Sequence, residues 1–100
     1  MSVLTKSYRD SLLESLRDPA EAAAYLDAAL EDEDSRVFLL ALRDVAEARG
    51  ISQVAAEADL NRESLYRMLS EEGNPRLSSL EALLRAFGLR LAIEVRESAV

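Results

Sequence analysis

The sequence predicts a mainly α fold of five or six helices that ends in one β-strand. Apolar residues recur at helical spacing, between residues that suit helix ends, from Ser7 to Phe87. Two short helices joined by a tight turn are predicted in ISQVAAEADLNRESLYRMLS, residues 51–70. The spacing then changes to strict alternation in LRLAIEV, residues 89–95. With 100 residues and 49% hydrophobic content, the chain suffices for one small domain with a single core.

The first two helices are predicted from residues that cap helix starts. Ser7 can cap a helix over about residues 7–16. Asp18 followed by Pro19 is a sharper start, because Pro suits the first helical position, and the second helix runs to about residue 31. Its apolar face comprises Ala22, Tyr25, Leu26, Ala29 and Leu30. The acidic run EDED at 31–34 is either a solvated connector that favours the next helix start or a docking patch for a basic partner.

The third and sixth helices are predicted from their end signals. The third spans residues 35–49, and Gly50 stands where a left-handed end residue belongs. Gly73-Asn74-Pro75 predicts a break before the sixth helix. Ser78 and Glu81 form a capping box that opens this helix. Its inward residues are expected to be Leu80, Leu83, Leu84 and Phe87, with Gly88 as its stop.

Residues 51–70 have the spacing of a helix-turn-helix. Ala55 is small where the two helices approach, and Asp59 stands at a turn that usually needs Gly in a left-handed conformation. In this motif the second helix enters the DNA major groove. The alternative is two ordinary core helices of an all-α protein. The apolar residues expected to face inward are Val54, Ala58, Leu60, Leu65 and Met68.

The second helix of this pair carries the residues expected to contact DNA. Asn61 is a good N-cap, and the helix end behind it can face a phosphate. Arg62 can pair with guanine, Glu63 can accept from cytosine, and Arg67 lies on the same outward face. Alternatively, Glu63 and Arg67 are an ion pair at i, i+4 spacing that only stabilises an exposed helix.

Supporting contacts to DNA are predicted around these three side chains. Ser64 and Tyr66 are placed to reach phosphates or a thymine methyl group. For Tyr66, packing of the ring against the neighbouring helix is an equal alternative. Asn74 and Arg76 follow the helix pair and would contact the DNA backbone, which sets register without carrying sequence information.

The composition argues against several classes of function, and the net charge opposes DNA binding. Neither Cys nor His is present, so the commonest metal ligands and the commonest general base are missing, and we expect neither an enzyme nor a cofactor. No apolar run approaches the ~18 residues of a membrane span, so a soluble cytoplasmic protein is expected.

The net charge of −7 opposes phosphate binding. Residues 1–49 carry −5 (6 Lys and Arg against 11 Asp and Glu) and residues 50–100 carry −2 (6 against 8).

The alternating C-terminal segment predicts contact with a second copy of the chain. No other segment has the pattern of a strand, and a lone strand leaves its backbone groups unpaired. An antiparallel pair centred on Ala92 places Arg90 opposite Glu94 of the other copy. The competing interpretation is an irregular C-terminal helix. The proposed dimerisation residues are Leu89, Arg90, Leu91, Ala92, Ile93, Glu94 and Val95.

Four segments together resemble a known family. They are GISQVAAEADLNRESLYRMLSEEGNP at 50–75, LEALLRAFGLRL at 80–91, DPAEAAAYLDAALEDED at 18–34 and LLALRDVAEARG at 39–50. Over about residues 17–96 the chain is similar to the probable addiction-module antidote proteins, which are HigA-like antitoxins with a Cro/C1-type (XRE), lambda-repressor-like helix-turn-helix. Many phage-repressor-like proteins have a phosphate-fixing Gln where this chain has Ile51, and Ser52 or Gln53 could replace it.

The resemblance implies a function and a division of the chain. Such an antitoxin neutralises a RelE/ParE-type toxin and represses its own operon as a dimer bound to the promoter. Residues 1–34 would be a helical extension that contacts the toxin, 35–88 the DNA-binding domain and 89–96 the dimerisation strand. If a basic toxin docks, its anchors are expected to be Asp18, Glu21, Tyr25, Asp27, Glu31, Asp32, Glu33 and Asp34. The alternatives are a dimeric repressor without a toxin and an interaction module that has lost DNA binding.

Overall fold

The structure, a computed structural model, describes residues 7–70 and 72–97. This part of the chain contains six α-helices and no β-strand, so the mainly α prediction is confirmed. The first six residues of the predicted N-terminal extension lie outside the described residues. The helices are α1 (Tyr8–Ser15), α2 (Pro19–Leu30), α3 (Ser35–Arg49), α4 (Ile51–Glu57), α5 (Arg62–Met68) and α6 (Leu77–Ala86).

Side-chain caps start the first three helices where the sequence places them. The Ser7 hydroxyl accepts a hydrogen bond from the Asp10 amide at 3.0 Å, and the Asp18 carboxylate accepts one from the Ala20 amide at 3.0 Å. The Asp34 carboxylate accepts from the Arg36 amide at 2.9 Å. The Arg36 side chain also donates to it, which lowers the pKa of Asp34 to about 2. The end of the acidic run is therefore a helix cap, as the connector interpretation requires.

One expectation about a helix start is wrong. The carbonyl of Arg76 accepts a hydrogen bond from the Leu80 amide at 2.9 Å, so α6 begins at Leu77 and Ser78 lies inside its first turn. The expected capping box therefore does not form, and no side chain caps α6. Leu30 is 57% exposed, because it is the last residue of α2 and borders an open groove.

The core is continuous from the end of α1 to the end of α6, and α3 lies at its centre. Helix α3 packs against α1, α2 and α4, while α4 also packs against α5 and α6. The N-terminal helices contribute Leu16, Ala22 and Leu26 to the same cluster that holds Val45 and Phe87. Packing of α2 on α3 buries the second helix's inner face, so the N-terminal helices support the rest of the fold.

The chain beyond α6 has no regular secondary structure in the described residues. Gly88 has φ +81°, which ends the helix, and the Leu89 amide donates to the Leu84 carbonyl at 2.8 Å. Residues 91–97 are neither helical nor in a strand, so the interpretation as a C-terminal helix is wrong. Ile93 is 99% exposed and Val95 is 95% exposed. Among the helices that the structure describes, none combines the length and apolarity needed to cross a membrane.

Candidate nucleic-acid interface

The connection between α4 and α5 is a tight turn closed by backbone hydrogen bonds. The Leu60 amide donates to the Ala55 carbonyl at 2.8 Å, and the Asp59 amide donates to the Ala56 carbonyl at 3.2 Å. Asp59 has φ +60°, the left-handed conformation expected from its position. Asp is among the few residues with a Cβ that adopt this conformation routinely. The turn therefore redirects the chain within a few residues and fixes the angle at which α5 leaves α4.

The inner faces of α4 and α5 are buried against the core. Val54, Ala55 and Leu65 are fully or almost fully buried, as the spacing predicts. Leu60 and Met68 are half-buried and pack against the same cluster. Leu69, directly after α5, is also buried. Since apolar contacts hold this one side of α5, the helix is fixed on the body of the protein with its opposite side outward.

The outward side of α5 carries most of the residues expected to read DNA. Asn61 caps the helix, and its side-chain oxygen accepts from the Ser64 amide at 2.6 Å. Arg62, Glu63 and Arg67 are exposed. The Arg67 guanidinium lies 3.7 Å from the Glu63 carboxylate, with the two side chains 72% and 87% exposed. This distance exceeds that of a good hydrogen bond, so the ion pair constrains neither side chain strongly.

Tyr66 lies on the flank of α5 that adjoins α3. The Arg43 guanidinium stands 5.2 Å from the centre of the Tyr66 ring, within the range of a cation–π contact. Arg43 also donates to the Glu47 carboxylate at 3.3 Å. Tyr66 is half-buried, and its ring contacts Arg43 of the neighbouring helix while part of the residue remains exposed.

The other predicted DNA contacts lie at the two ends of the helix pair. Ser52 and Gln53 are exposed in the first turn of α4, and the Gln53 amide donates to Glu57 at 3.5 Å. Asn74 and Arg76 are exposed after α5. A Cβ at Gly73 would lie 2.1 Å from the Met68 carbonyl oxygen, so only glycine permits this close return of the chain.

The charge around the helix pair is negative. Residues 50–76 contain three arginines, already named, against Glu57, Asp59, Glu63, Glu71 and Glu72, a balance of 3 − 5 = −2. Non-specific attraction to phosphate is therefore weak, and any binding of DNA depends on the placement of single arginines.

The residues predicted to contact a toxin are mostly exposed on α2 and the connector that follows it. Glu21, Asp27 and residues 31–33 are exposed. Asp27 and Glu31 also line a groove of about 870 Å³ between α2, Phe38 and the C-terminal segment. Asp18 and Asp34 are engaged as helix caps.

Tyr25, also predicted to contact a toxin, is half-buried between α2 and α3. Its hydroxyl donates to the Asp44 carboxylate at 2.6 Å. Burial and this hydrogen bond to an anion raise the pKa of Tyr25 to about 12. Arg9 of α1 lies 3.1 Å from the same carboxylate and 2.9 Å from Glu47, and its pKa is raised by these hydrogen bonds.

Sequence reasoning missed this set of contacts because its partners lie far apart in the chain. Tyr25 and Asp44 are 19 residues apart, and Arg9 and Glu47 are 38 apart, so no local spacing connects them. No group of His, Cys, Asp or Glu in the described residues could hold a metal ion.

The fold and the interface define a small helical protein that presents one short, polar-faced helix through a tight turn. Residues 7–95 match the family described as "Probable addiction module antidote protein", to which the chain therefore belongs. An uncharacterised protein of Haemophilus influenzae (strain ATCC 51907 / DSM 11121 / KW20 / Rd) is 33% identical over 92 residues, covering 91% of this chain and 95% of that protein. No solved structure matches the chain. Membership indicates an antitoxin role, which implies a toxin as partner.

Proposed function

We propose that the chain is the antitoxin of a type II toxin–antitoxin module. In this proposal it neutralises a RelE/ParE-like toxin and represses its own operon as a homodimer, through a lambda-repressor-like helix-turn-helix. Family membership supports the antitoxin part. The observation that carries the DNA part is α5, which is buried on one side and exposes Arg62, Glu63 and Arg67 on the other.

The roles proposed at the DNA follow from the placement of each side chain. Arg62, at the start of α5, would donate to guanine, and Glu63 would accept from the paired cytosine. Arg67, one helical turn later, would contact a neighbouring base or phosphate. The residues proposed for backbone and supporting contacts are Ser52, Gln53, Asn61, Ser64, Tyr66, Asn74 and Arg76.

A dimer is proposed because the C-terminal segment has no regular secondary structure and leaves apolar side chains in solvent. Leu91, Ile93 and Val95 are exposed in the single chain. Antiparallel pairing centred on Ala92 would cover them and would match Arg90 with Glu94 of the second copy. Two copies would then present α5 twice, at the spacing of about 34 Å that separates successive major grooves on one side of DNA.

The toxin is proposed to contact the exposed acidic side of α2. The carboxylates of Glu21, Asp27, Glu31 and Glu33 cap no described helix, unlike those of Asp18 and Asp34. The Asp32 carboxylate accepts a hydrogen bond from the Asp34 amide at 2.8 Å. The negative charge of these carboxylates fits a basic partner, whose rate of association it would raise more than the final affinity. Tyr25 would stabilise the packing of α2 on α3, because its hydroxyl donates to the Asp44 carboxylate.

Charge reversal tests the toxin part better than truncation does. Deleting residues 1–33 would remove Leu16, Ala22 and Leu26 from the core, so loss of any activity could reflect unfolding. We expect the double variant Asp27→Arg/Glu31→Arg to associate with the purified product of the neighbouring reading frame roughly tenfold more slowly, as measured by surface plasmon resonance. Rescue of growth from that product should fall in parallel.

The control is Glu81→Arg, which reverses an exposed charge on α6 that does not line the groove bordered by Asp27 and Glu31. It should leave partner binding unchanged. Unaltered binding of the partner by the double variant, with its fold intact, would contradict the proposed docking side.

A further inference from the structure

A set of polar side chains links α1, α3 and α5 across the surface of the molecule. Arg9 of α1 contacts Glu47 of α3 at 2.9 Å, and Glu47 accepts from Arg43 at 3.3 Å. Arg43 in turn lies over the Tyr66 ring of α5. The link therefore ends on the helix that carries the proposed DNA-reading residues, although Arg43 lies outside the helix-turn-helix.

Arg43 is held in place from both sides. Glu47 stands one turn further along α3 and fixes one edge of the guanidinium, while the aromatic face lies against it at 5.2 Å from the ring centre. The Arg43 side chain is 40% exposed, so its contact with the ring is partly shielded from water. Such a contact is stronger than one at a fully exposed site.

Because Tyr66 lies on the flank of α5, its contact with Arg43 would affect how α5 recognises DNA. Tyr66 directly precedes Arg67, and its ring lies between the outer face of α5 and α3. A ring already held by Arg43 of α3 would lose less side-chain freedom on contact with a duplex. The same contact restricts rotation of α5 relative to α3, on which α4 is also packed.

We propose that Arg43 is a positioning residue for DNA recognition, which acts by holding the Tyr66 ring and not by touching DNA. This inference rests on the proposed DNA binding. One carboxylate already engages the Arg43 guanidinium. Arg43 therefore fixes the orientation of the Tyr66 ring, and Tyr66 makes the contact with a phosphate or a thymine methyl group.

A double-mutant cycle on the full-length chain tests the proposal. Affinity for a duplex from the chain's own upstream region is measured for the wild type, Arg43→Gln, Tyr66→Leu and the double variant. We expect Arg43→Gln to weaken binding by roughly two- to tenfold, the range for one side chain that must be ordered on binding. In the Tyr66→Leu background the same change should weaken it no further, and the salt slope should stay the same.

Two further measurements separate positioning from other roles. Arg85→Gln removes the same charge from an exposed site on α6 and should change affinity less than Arg43→Gln does. Thermal unfolding of each variant identifies any loss of DNA affinity that arises from instability alone. Arg43→Gln should remain folded at the temperature of the binding measurement.

The possible outcomes distinguish this inference from the function on which it rests. Equal losses in both backgrounds, with a salt slope smaller by about one, would show that Arg43 contacts phosphate directly and would overturn the inference. Binding by the wild type with no loss in Arg43→Gln would overturn the inference alone. No specific binding by the wild type would overturn the proposed DNA function and the inference together.

Discussion

Arg62 and Arg76 lie at opposite ends of the stretch from α5 to α6, and we propose different roles for them at DNA. Arg62 is the first residue of α5, at the end that faces base edges in this docking mode. Arg76 precedes α6 and is exposed beside the turn at Gly73. The difference in position predicts a difference in how each arginine affects sequence preference.

We expect Arg62→Ala to weaken binding of the cognate duplex by roughly 1–3 kcal/mol and to leave scrambled duplexes almost unaffected. Arg76→Ala should weaken all duplexes alike and reduce the salt slope by about one. Fluorescence anisotropy on matched and scrambled duplexes at several salt concentrations measures both quantities. A uniform loss from Arg62→Ala would show that the assigned roles are wrong.

Tyr25 predicts a dependence of stability on alkaline pH. Its pKa is raised from the ordinary 10 to about 12, so the folded state favours the neutral phenol. The stabilisation is complete below pH 10 and is lost as the pH rises through about 12. Tyr25→Phe should lower the free energy of unfolding by about 1–2 kcal/mol near neutral pH, since it removes a half-buried hydrogen bond to a carboxylate.

Urea unfolding of the wild type and of Tyr25→Phe across this pH range measures their free energies of unfolding. The difference between these two free energies should shrink above pH 10. Tyr8→Phe is the matched control, because the Tyr8 side chain is 84% exposed. A difference that stays constant to pH 12 would contradict the role assigned to the Tyr25–Asp44 hydrogen bond.

Helix starts can be predicted from the sequence where the capping residue acts locally. Asp18, with Pro19 after it, and Asn61 cap helices where the sequence places them, because each cap acts within three residues. The start of α6 was misplaced at Ser78, since a capping box competes there with an ordinary helical bond from Leu80 to Arg76. The contact between Arg43 and Tyr66 had no local signal at all and needed the packing of α5 beside α3.

The α4–α5 turn gives a prediction that concerns backbone conformation. Asp59→Gly should change the free energy of unfolding by less than about 1 kcal/mol, because glycine adopts φ +60° without strain. Asp59→Val should cost about 1–2 kcal/mol, since a β-branched residue is strained in the left-handed region. Chemical denaturation measures both changes.

Ala56→Val, at an exposed site within α4, controls for the effect of valine itself. If Asp59→Gly proved as damaging as Asp59→Val, the carboxylate and not the backbone would determine the stability of the turn.

For the whole molecule, the single chain leaves its C-terminal segment without a partner. The alternation in residues 89–95 was visible in the sequence, but a strand needs a neighbour, and the described part of one chain offers none. We propose that a second copy of the chain covers Ile93 and Val95, which the sequence of one copy indicates only through its alternating pattern.

Ile93→Pro should convert a dimer into a monomer of 11.0 kDa, because proline removes a backbone donor from the proposed pairing. Ile93→Thr keeps that donor and should remain dimeric. Multi-angle light scattering over a range of concentrations distinguishes the two masses. A dimer unaffected by proline would refute the proposed ribbon.

The central claim is that α5 reads DNA despite the net charge of −7. Its most direct test is a titration of the full-length chain on a duplex from its own upstream region, beside a scrambled duplex of equal length. We expect tighter binding of the upstream duplex, with two chains on each site and an affinity that falls as salt rises. Equal affinity for both duplexes, or no binding to either, would contradict it.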